Sequence, residues 1–312
     1  MTHALVSIIT PCYNGKKYLD NYFQSILAQT YRPLELIFIN DGSTDQTEEI
    51  ALSYRTKLMD CGIAFEYIYQ KNKGQAAALN RGLKLFRGDY LTWPDADDVM
   101  KPTCIERKVD YLERHPNVGI VVSNGTYYDP NSGKTTDVMN EVYTGPLNIF
   151  ENLLDIKQIP GVPSQYMVSR SLLKKCYPDF NIYESRAGQN WQILVPCASN
   201  SLAGVINEDL FTITEHQDSH SRQKKTIEQE YQRWEDFTDI LHHAIDCSNC
   251  NRDHYHKVVN INKFRQEFYY AVKACDKKKM KECLSGIKEN GGKVQLKEKL
   301  LYIKHRLKRA WK

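Results

Sequence analysis

The most constraining feature of this chain is a regular alternation of strand and helix patterns between residues 5 and 123. Short apolar runs rich in β-branched residues, such as "LVSIIT" and "LELIFI", alternate with segments whose apolar residues recur at helical spacing, such as "KKYLDNYFQSILAQ". Only short connections separate these segments. The alternation predicts a doubly wound α/β sheet.

A polar loop follows each of the first four predicted strands: "PCYNG", "NDGSTD", "KNKGQ" and "PDADD". In a sheet of this kind, the ligand lies beyond the carboxyl ends of the strands. Four polar loops at one edge of the sheet therefore predict one binding site. The first loop carries neither a G-x-G-x-x-G pattern nor a Walker A lysine, so a dinucleotide dehydrogenase and a P-loop phosphotransferase both lose support.

The fourth loop concentrates like charge, with Asp95, Asp97 and Asp98 in four positions that include a D-x-D pattern. Close carboxylates repel one another and raise one another's pKa unless a cation lies between them. Their oxygen atoms suit Mn²⁺ or Mg²⁺, which keeps coordination positions open for phosphate oxygens. The loop therefore predicts a divalent cation that would neutralise a nucleotide diphosphate. The alternative is a solvated, acidic helix N-terminus.

The pattern changes after the fifth predicted strand. Residues 123–219 are irregular, with short strand patterns such as "LAGVI" and "LFTIT", and the chain beyond residue 221 is helical. We predict one domain over residues 1–220 and a C-terminal helical region, ending in a basic amphipathic tail, over residues 221–312.

The tail, residues 293–312, holds six Lys and two Arg against one Glu, which is +7 in a chain of net charge +4. Leu296, Leu300, Ile303 and Leu307 recur there at intervals of four, three and four residues, so they share one helical face. A basic amphipathic helix of this kind suits an anionic membrane surface. The alternatives are packing of this face on the preceding helices and pairing with a second copy.

The remaining residues, 1–292, have a net charge of −3, which argues against a nucleic-acid-binding protein.

The apolar runs and the cysteines of the sequence indicate the cellular compartment of the protein. No run approaches the ~20 apolar residues of a membrane-spanning helix, and the N-terminus has the pattern of a strand rather than of a signal peptide. The nine cysteines are then most simply free thiols. We expect a cytoplasmic protein, peripheral at the inner face of the membrane.

The segment "CSNCNRDHYH" leaves open a zinc half-site or a loop with incidental Cys and His.

Four motifs in this order and spacing, "VSIITPCYNG", "LELIFINDGSTD", "NKGQAAALNRG" and "DYLTWPDADD", resemble family 2 glycosyltransferases with the GT-A fold. The resemblance covers roughly residues 4 to 220. It implies a Rossmann-like mixed sheet with helices on both faces. It also implies that Pro11 and Tyr13 line the base and ribose pocket, and that Asp41 accepts a hydrogen bond from the uracil ring. Gly74 and Asn80, in the third motif, would belong to the same donor site.

The resemblance also implies the metal site. Asp95 would lie near the ribose, and Asp97 would bind the metal under the diphosphate. Members of the family often carry a late histidine near H-x-x-S, and "TEHQDSHS" supplies His216 as a candidate for diphosphate or metal contact, with His220 as the alternative.

One departure from the family pattern concerns the general base. The family usually has a Glu-Asp pair at the start of a helix after the metal loop, and the Asp takes the proton from the acceptor hydroxyl. Here Gln189 and Asn190 occupy these positions, and an amide cannot serve as a general base at neutral pH. Glu184 could take over the role with Asn190 acting through geometry, Asp179 could reach the site, or the protein could bind its donor without efficient transfer. We favour Glu184.

The adjacent Trp191 has two interpretations, an acceptor platform for a sugar ring or core packing.

The predicted function is that of an inverting, metal-dependent glycosyltransferase. It would transfer a sugar from a UDP-sugar to a glycan or polyprenyl-linked acceptor in surface polysaccharide synthesis. A catalytically impaired donor-binding or scaffold subunit is the alternative, and a nucleotidyltransferase is a third reading.

Overall fold

The computed structural model describes residues 3–139, 141–155, 162–186, 188–215 and 225–307. Its strands are β1 (Val6–Cys12), β2 (Leu34–Asp41), β3 (Ile63–Gln70), β4 (Tyr90–Thr92), β5 (Asp98–Met100), β6 (Val118–Tyr128), β7 (Thr135–Asp137), β8 (Tyr166–Ser169) and β9 (Leu202–Thr214). Its helices are α1 (Leu19–Leu27), α2 (Thr47–Ser53), α3 (Arg55–Asp60), α4 (Gln75–Leu83), α5 (Cys104–Arg114), α6 (Phe150–Asp155), α7 (Arg170–Cys176), α8 (Gln189–Ala198), α9 (Ile227–Asp246), α10 (Arg252–Lys273), α11 (Lys277–Glu289) and α12 (Leu296–Leu307).

The described strands form one mixed sheet in the order β3-β2-β1-β4-β8-β6-β9-β5, and β7 pairs with β6. β1 runs parallel to β2 and β4, and β2 runs parallel to β3. β8 lies antiparallel between β4 and β6 and ends this parallel half. The predicted α/β sheet is confirmed. The carboxyl ends of β1 to β4, which carry the four polar loops, meet at one edge.

Two parts of the sheet differ from the sequence prediction. Asp98–Met100 forms β5, which pairs antiparallel with β9, whereas no strand was predicted there. The segments "LAGVI" and "LFTIT" form one continuous strand, β9, instead of two. Its pairing with β6 shifts register at three places, which allows one long strand to follow the twist of the sheet.

Each face of the sheet is covered by helices, as long apolar strands buried on both sides require. α1 and α5 pack on one face, through residues such as Phe23 and Ile105. α4 and α8 pack on the other, and α9 adds Leu241, Ala244 and Ile245 to the same core. A further apolar cluster joins α10 and α11. Among the described helices, none is long and apolar enough to cross a membrane.

Candidate active site

The first two polar loops are joined by hydrogen bonds beyond the carboxyl ends of β1 and β2. The Asn14 N–H donates to Ser43 Oγ at 2.9 Å, and the Thr44 N–H donates to Asn14 Oδ1 at 2.8 Å. The Lys16 N–H donates to Asp45 Oδ2 at 3.0 Å. Asn14 has a φ of 53°, a left-handed conformation that Asn tolerates better than most residues. These two loops therefore form one unit.

Asp41 joins the second loop to the third. Its Oδ1 accepts hydrogen bonds from Gln70 Nε2 at 2.7 Å and from the Lys73 N–H at 2.9 Å, and its Oδ2 accepts from the Gly74 N–H at 2.9 Å. Gly74 begins the first turn of α4 with a φ of 92°, where a side chain would be strained. A carboxylate offers about four acceptor positions. Asp41 thus shapes the third loop with three of these positions, and a contact between its carboxylate and a base N–H stays a prediction.

The end of β1 brings Pro11 and Tyr13 to the same edge. Pro11 is half-buried, and the Tyr13 side chain is 51% exposed, so its ring is accessible to a flat base. Between them, Cys12 is buried. Its burial, together with the carboxylates of Asp45 and Asp97, raises the pKa of the thiol to about 12. β4 runs parallel to and pairs with β1, so the fourth loop leaves the sheet beside the first.

The three aspartates of the fourth loop have different surroundings. Asp98 is buried in β5 and accepts a hydrogen bond from Ser164 Oγ, and its burial with Asp95 and Asp97 nearby raises its pKa well above the usual range. Asp95 is half-buried and accepts a hydrogen bond from Gln75 Nε2 at 3.3 Å. Burial and the neighbouring Asp97 raise the pKa of Asp95 to about 7. Asp97 itself is exposed.

These residues fit a hard divalent cation. Across the described parts of the chain, no group of three His, Cys, Asp or Glu side chains is arranged to hold a metal. Mg²⁺ usually needs only one or two carboxylates, because phosphate oxygens and water complete its coordination. Asp95 and Asp97 can supply this donor set. Burial and the neighbouring Asp97 raise the pKa of Asp95, because no positive charge neutralises the two carboxyl groups, and a cation would supply that charge. Asp98, in contrast, is engaged with Ser164.

Asn190 connects this loop to the start of α8. Its Oδ1 accepts a hydrogen bond from Trp93 Nε1 at 2.9 Å, and both side chains are buried. The neighbouring Trp191 donates its indole N–H to the Leu153 carbonyl at 3.1 Å and packs edge-to-face on Phe237. The contacts that the structure shows for Trp191 are those of core packing, one of its two interpretations.

Asn80 is engaged within the protein, and the place in the donor site that the resemblance implies stays a prediction. It is buried in α4, its Nδ2 donates to the Ile182 carbonyl at 2.8 Å, and its Oδ1 accepts from the Ile182 N–H at 2.8 Å. This pair of bonds fastens the segment before α8 to α4. Glu184 is exposed on that segment, and the other base candidate, Asp179, is exposed at its start.

Arg186 is a candidate site residue that the sequence did not single out. Its side chain lies over the third loop, because a Cβ placed on Gly74 would be 3.4 Å from Arg186 Cγ. One guanidinium nitrogen donates to Asn72 Oδ1 at 3.3 Å. The structure thus brings an exposed cation to the edge where a diphosphate would lie. Arg186 is one of four arginines between the metal loop and Gln189, so no local signal in the sequence singled it out.

The helical region supports the same segment. The Tyr183 ring stacks on His243 of α9 with centroids 3.6 Å apart and planes at 5°. Gly188, in a left-handed conformation with a φ of 60°, lies against Ile240 and Phe237 of α9. The segment that carries Glu184 is therefore held between α4 and α9.

Two remaining candidates lie elsewhere. His216 and the alternative His220 fall outside the described residues. In the segment "CSNCNRDHYH", His256 lies against His242, with 2.6 Å between their Nδ1 atoms, and its Nε2 is 3.0 Å from Asp246 Oδ1. His256 is therefore engaged with α9, and among the described residues no three His, Cys, Asp or Glu side chains are grouped here to hold zinc.

Comparison with known proteins agrees with the four motifs. The family model described as Glycosyl transferase family 2 matches residues 7–177. An uncharacterized glycosyltransferase of Rickettsia prowazekii is 44% identical over 121 residues, which cover 39% of this chain and 36% of that protein. Glycosyltransferase GlyG of Streptococcus pneumoniae is 35% identical over 130 residues, which cover 41% and 42%. The chain spans less than half the length of these curated relatives.

Solved structures share the fold over nearly the whole chain. S. aureus TarS 1-349, crystallised in complex with UDP-GlcNAc, has a TM-score of 0.62 at 17% identity, covering 96% of this chain and 79% of that one. Mannosyltransferase PcManGT from Pyrobaculum calidifontis, in complex with GDP-Man and Mn²⁺, has a TM-score of 0.55 at 15% identity, covering 99% and 83%. The fold is that of GT-A glycosyltransferases.

Proposed function

The chain belongs to glycosyl transferase family 2, and from that premise we propose that it transfers a hexose or N-acetylhexosamine from a UDP-sugar. The acceptor is a glycan or a lipid-linked glycan, and the reaction is inverting and metal-dependent. It serves the synthesis of a surface polysaccharide such as capsule, O-antigen or lipopolysaccharide. The observation that carries the proposal is the set of loops at one sheet edge, where Asp41 is hydrogen-bonded to the third loop and the loop of Asp97 follows β4, the parallel neighbour of β1.

The donor would lie along this edge. We propose that the base packs near Tyr13 and Pro11 and donates its N–H to the carboxylate of Asp41. The ribose and diphosphate would then extend past Gly74 toward Asp95, because these residues lie on loops joined to the Asp41 loop or beside it. Support for a uridine nucleotide comes from TarS, which was crystallised with UDP-GlcNAc.

Asp97 would hold the divalent cation beside Asp95, which would lie near the ribose, and His216 stays a candidate second ligand. The cation, when bound, supplies charge neutralisation for the diphosphate as the leaving group. The mannosyltransferase of the same fold was crystallised with Mn²⁺, which supports this part of the proposal. Asp98 supports the loop from inside, because its hydrogen bond with Ser164 anchors the residue next to Asp97.

An inverting transfer is a single displacement. The acceptor oxygen forms the new glycosidic bond, the bond to the diphosphate breaks, and the acceptor proton goes to a general base. We propose Glu184 as that base, because it is an exposed carboxylate on the segment that Asn80 and Tyr183 hold beside the third loop. Asn190 acts as a positioning residue through Trp93. Asp179 is the alternative base.

A second candidate function is a donor-binding or scaffold subunit with impaired catalysis. The observation that favours it is the amide at position 190, whose oxygen is occupied by Trp93. The two functions share donor binding and differ in turnover.

We also propose a cytoplasmic location at the inner face of a membrane, where a lipid-linked acceptor would be accessible. Its support is the basic amphipathic tail.

The experiment that tests the function has two steps. A panel of nucleotide sugars, with and without Mn²⁺, is first tested for protection against thermal unfolding, because a ligand that binds only the native state raises the melting temperature. Release of UDP from the protecting donor is then measured with glycan acceptors. A UDP-sugar should protect best with Mn²⁺ and turn over. Protection without turnover would support the scaffold subunit, and protection by no nucleotide would contradict both functions.

A further inference from the structure

The last described helix, α12, has an inner face that fixes its orientation. Leu301 and Tyr302 pack against the apolar cluster of α10 and α11, which includes Phe268. Glu298 is buried, and its Oε1 lies 3.3 Å from Arg265 Nε on α10. An apolar contact and an ion pair on the same side therefore determine which side of α12 faces away from the protein.

The outer face of α12 carries an apolar stripe. Leu296, Leu300 and Ile303 are 71%, 56% and 49% exposed. Their spacing of four and then three residues places them on one side of the helix. We call these three residues the outer stripe. From the sequence alone, this face could have packed on the preceding helices. In the structure, Leu301 and Tyr302 make that contact instead. Large exposed apolar side chains grouped in this way indicate an interaction surface.

Basic residues border the outer stripe on both sides. Lys297 and Lys304 lie on one flank and Lys299 on the other, because successive residues turn by about 100° around a helix. All three side chains are exposed, as is that of Lys293 just before the helix. The only carboxylate between residues 293 and 304 is Glu298, which is buried on the inner face. The outer face is therefore apolar in the middle and cationic at its edges.

We propose that this face lies in the plane of an anionic lipid bilayer, with the outer stripe among the lipid chains and the lysines at the phosphates. An apolar strip bordered by lysines matches the layered chemistry of such a surface, which is apolar inside and negative at the headgroups. A second copy of the chain fits less well, because pairing two identical faces would bring lysines against lysines. A nucleic acid would leave the outer stripe without an apolar partner.

Flotation with vesicles tests the proposal. The full chain is mixed with vesicles of phosphatidylcholine containing phosphatidylglycerol, or of phosphatidylcholine alone, and centrifuged through a density gradient. The wild-type protein should float with the anionic vesicles at ~0.1 M salt and be released at ~1 M, where the Debye length falls from about 10 to about 3 Å. Each lysine near such a surface strengthens binding about fivefold. The Lys297→Glu, Lys304→Glu double variant should therefore bind at least about 25-fold more weakly.

The Leu300→Ser, Ile303→Ser double variant tests the outer stripe, and its binding should fall more than about tenfold. Its matched control is Met59→Ser with Leu85→Ser, two exposed apolar residues outside the helical region, which should float like the wild type. Lys84→Glu with Lys134→Glu is the charge control, since both lysines are exposed elsewhere. Circular dichroism and the melting temperature show whether each variant folds.

The outcomes separate this proposal from the transferase function. Loss of flotation in the two α12 variants, with UDP protection unchanged, supports the membrane surface whether or not transfer is found. Equal flotation of wild type and α12 variants, or equal binding to neutral vesicles, would overturn it. Self-association that disappears in the outer-stripe variant, without any flotation of the wild type, would also overturn it and assign the face to a second copy.

Discussion

Trp93 Nε1 donates a hydrogen bond of 2.9 Å to Asn190 Oδ1, between two buried residues 97 positions apart. Trp93 precedes the loop of Asp95 and Asp97, and Asn190 lies in the first turn of α8, where the family usually carries its catalytic Asp. The hydrogen bond therefore couples the candidate metal loop to the first turn of α8. It gives Asn190 a positional task that does not need a titratable group.

Replacing Asn190 with Ala should destabilise the protein by about 1–3 kcal/mol, because the buried Trp93 N–H loses its acceptor. Chemical denaturation measures the loss. The matched control is Gln189→Ala, a half-buried neighbour in the same turn, for which we expect a change within about 0.5 kcal/mol. Equal unfolding midpoints for Asn190→Ala and wild type would contradict the positional role.

Replacing Glu184 with Gln should lower turnover by about 10²–10⁴-fold, the usual effect of losing a general base. The affinity for UDP should stay unchanged, because the substitution keeps the size of the side chain and Glu184 is not assigned to donor binding. Initial rates of UDP release and calorimetry of UDP give the two quantities. Asp179→Asn, at the start of the same segment, is the control and should turn over normally. The reverse pattern would identify Asp179 as the base.

Replacing Asp97 with Ala should abolish the Mn²⁺-dependent part of UDP binding. Without metal, the variant should be as stable as the wild type or slightly more stable, because one of three neighbouring carboxylates is removed. The substitution should also bring the pKa of Asp95 down from about 7, since Asp97 contributes to raising it. Calorimetry of UDP with and without Mn²⁺ checks the binding, with the exposed Asp60→Ala as control. Unchanged Mn²⁺ dependence in Asp97→Ala would exclude Asp97 as the ligand.

Replacing Arg186 with Ala should weaken UDP-sugar binding roughly 10- to 100-fold, the range expected when one charge-assisted hydrogen bond is lost. The physical reason is its position over Gly74, at the end of the loop that Asp41 organises. The melting temperature without ligand should hardly change, because the side chain is exposed. Arg81→Ala, an exposed arginine on α4, is the matched control. Equal affinities of the two variants would leave Arg186 outside the donor site.

Much of the fold and one edge of the candidate site could be predicted from the sequence, because the signals are local. The apolar run of β2 and the helical spacing of α1 lie within single segments, and a parallel sheet then brings the ends of its strands together. Asp41 and Asp97 were assigned to that edge for this reason. In the structure, the loop of Asp41 is hydrogen-bonded to the third loop, and the loop of Asp97 follows a strand that pairs with β1. β5 was missed because its partner β9 lies more than a hundred positions away.

By itself, then, the sequence determined the strand and helix pattern, the polar loops at one edge, and the charge of the tail. The direction of individual side chains was decided by tertiary packing. Asp98 turns inward because β5 pairs with β9 and Ser164 meets its carboxylate, whereas Asp97 stays exposed. Asn80 turns to the Ile182 backbone, 102 positions along the chain. Such contacts depend on partners distant in sequence, and no local pattern specifies which partner a polar side chain will meet.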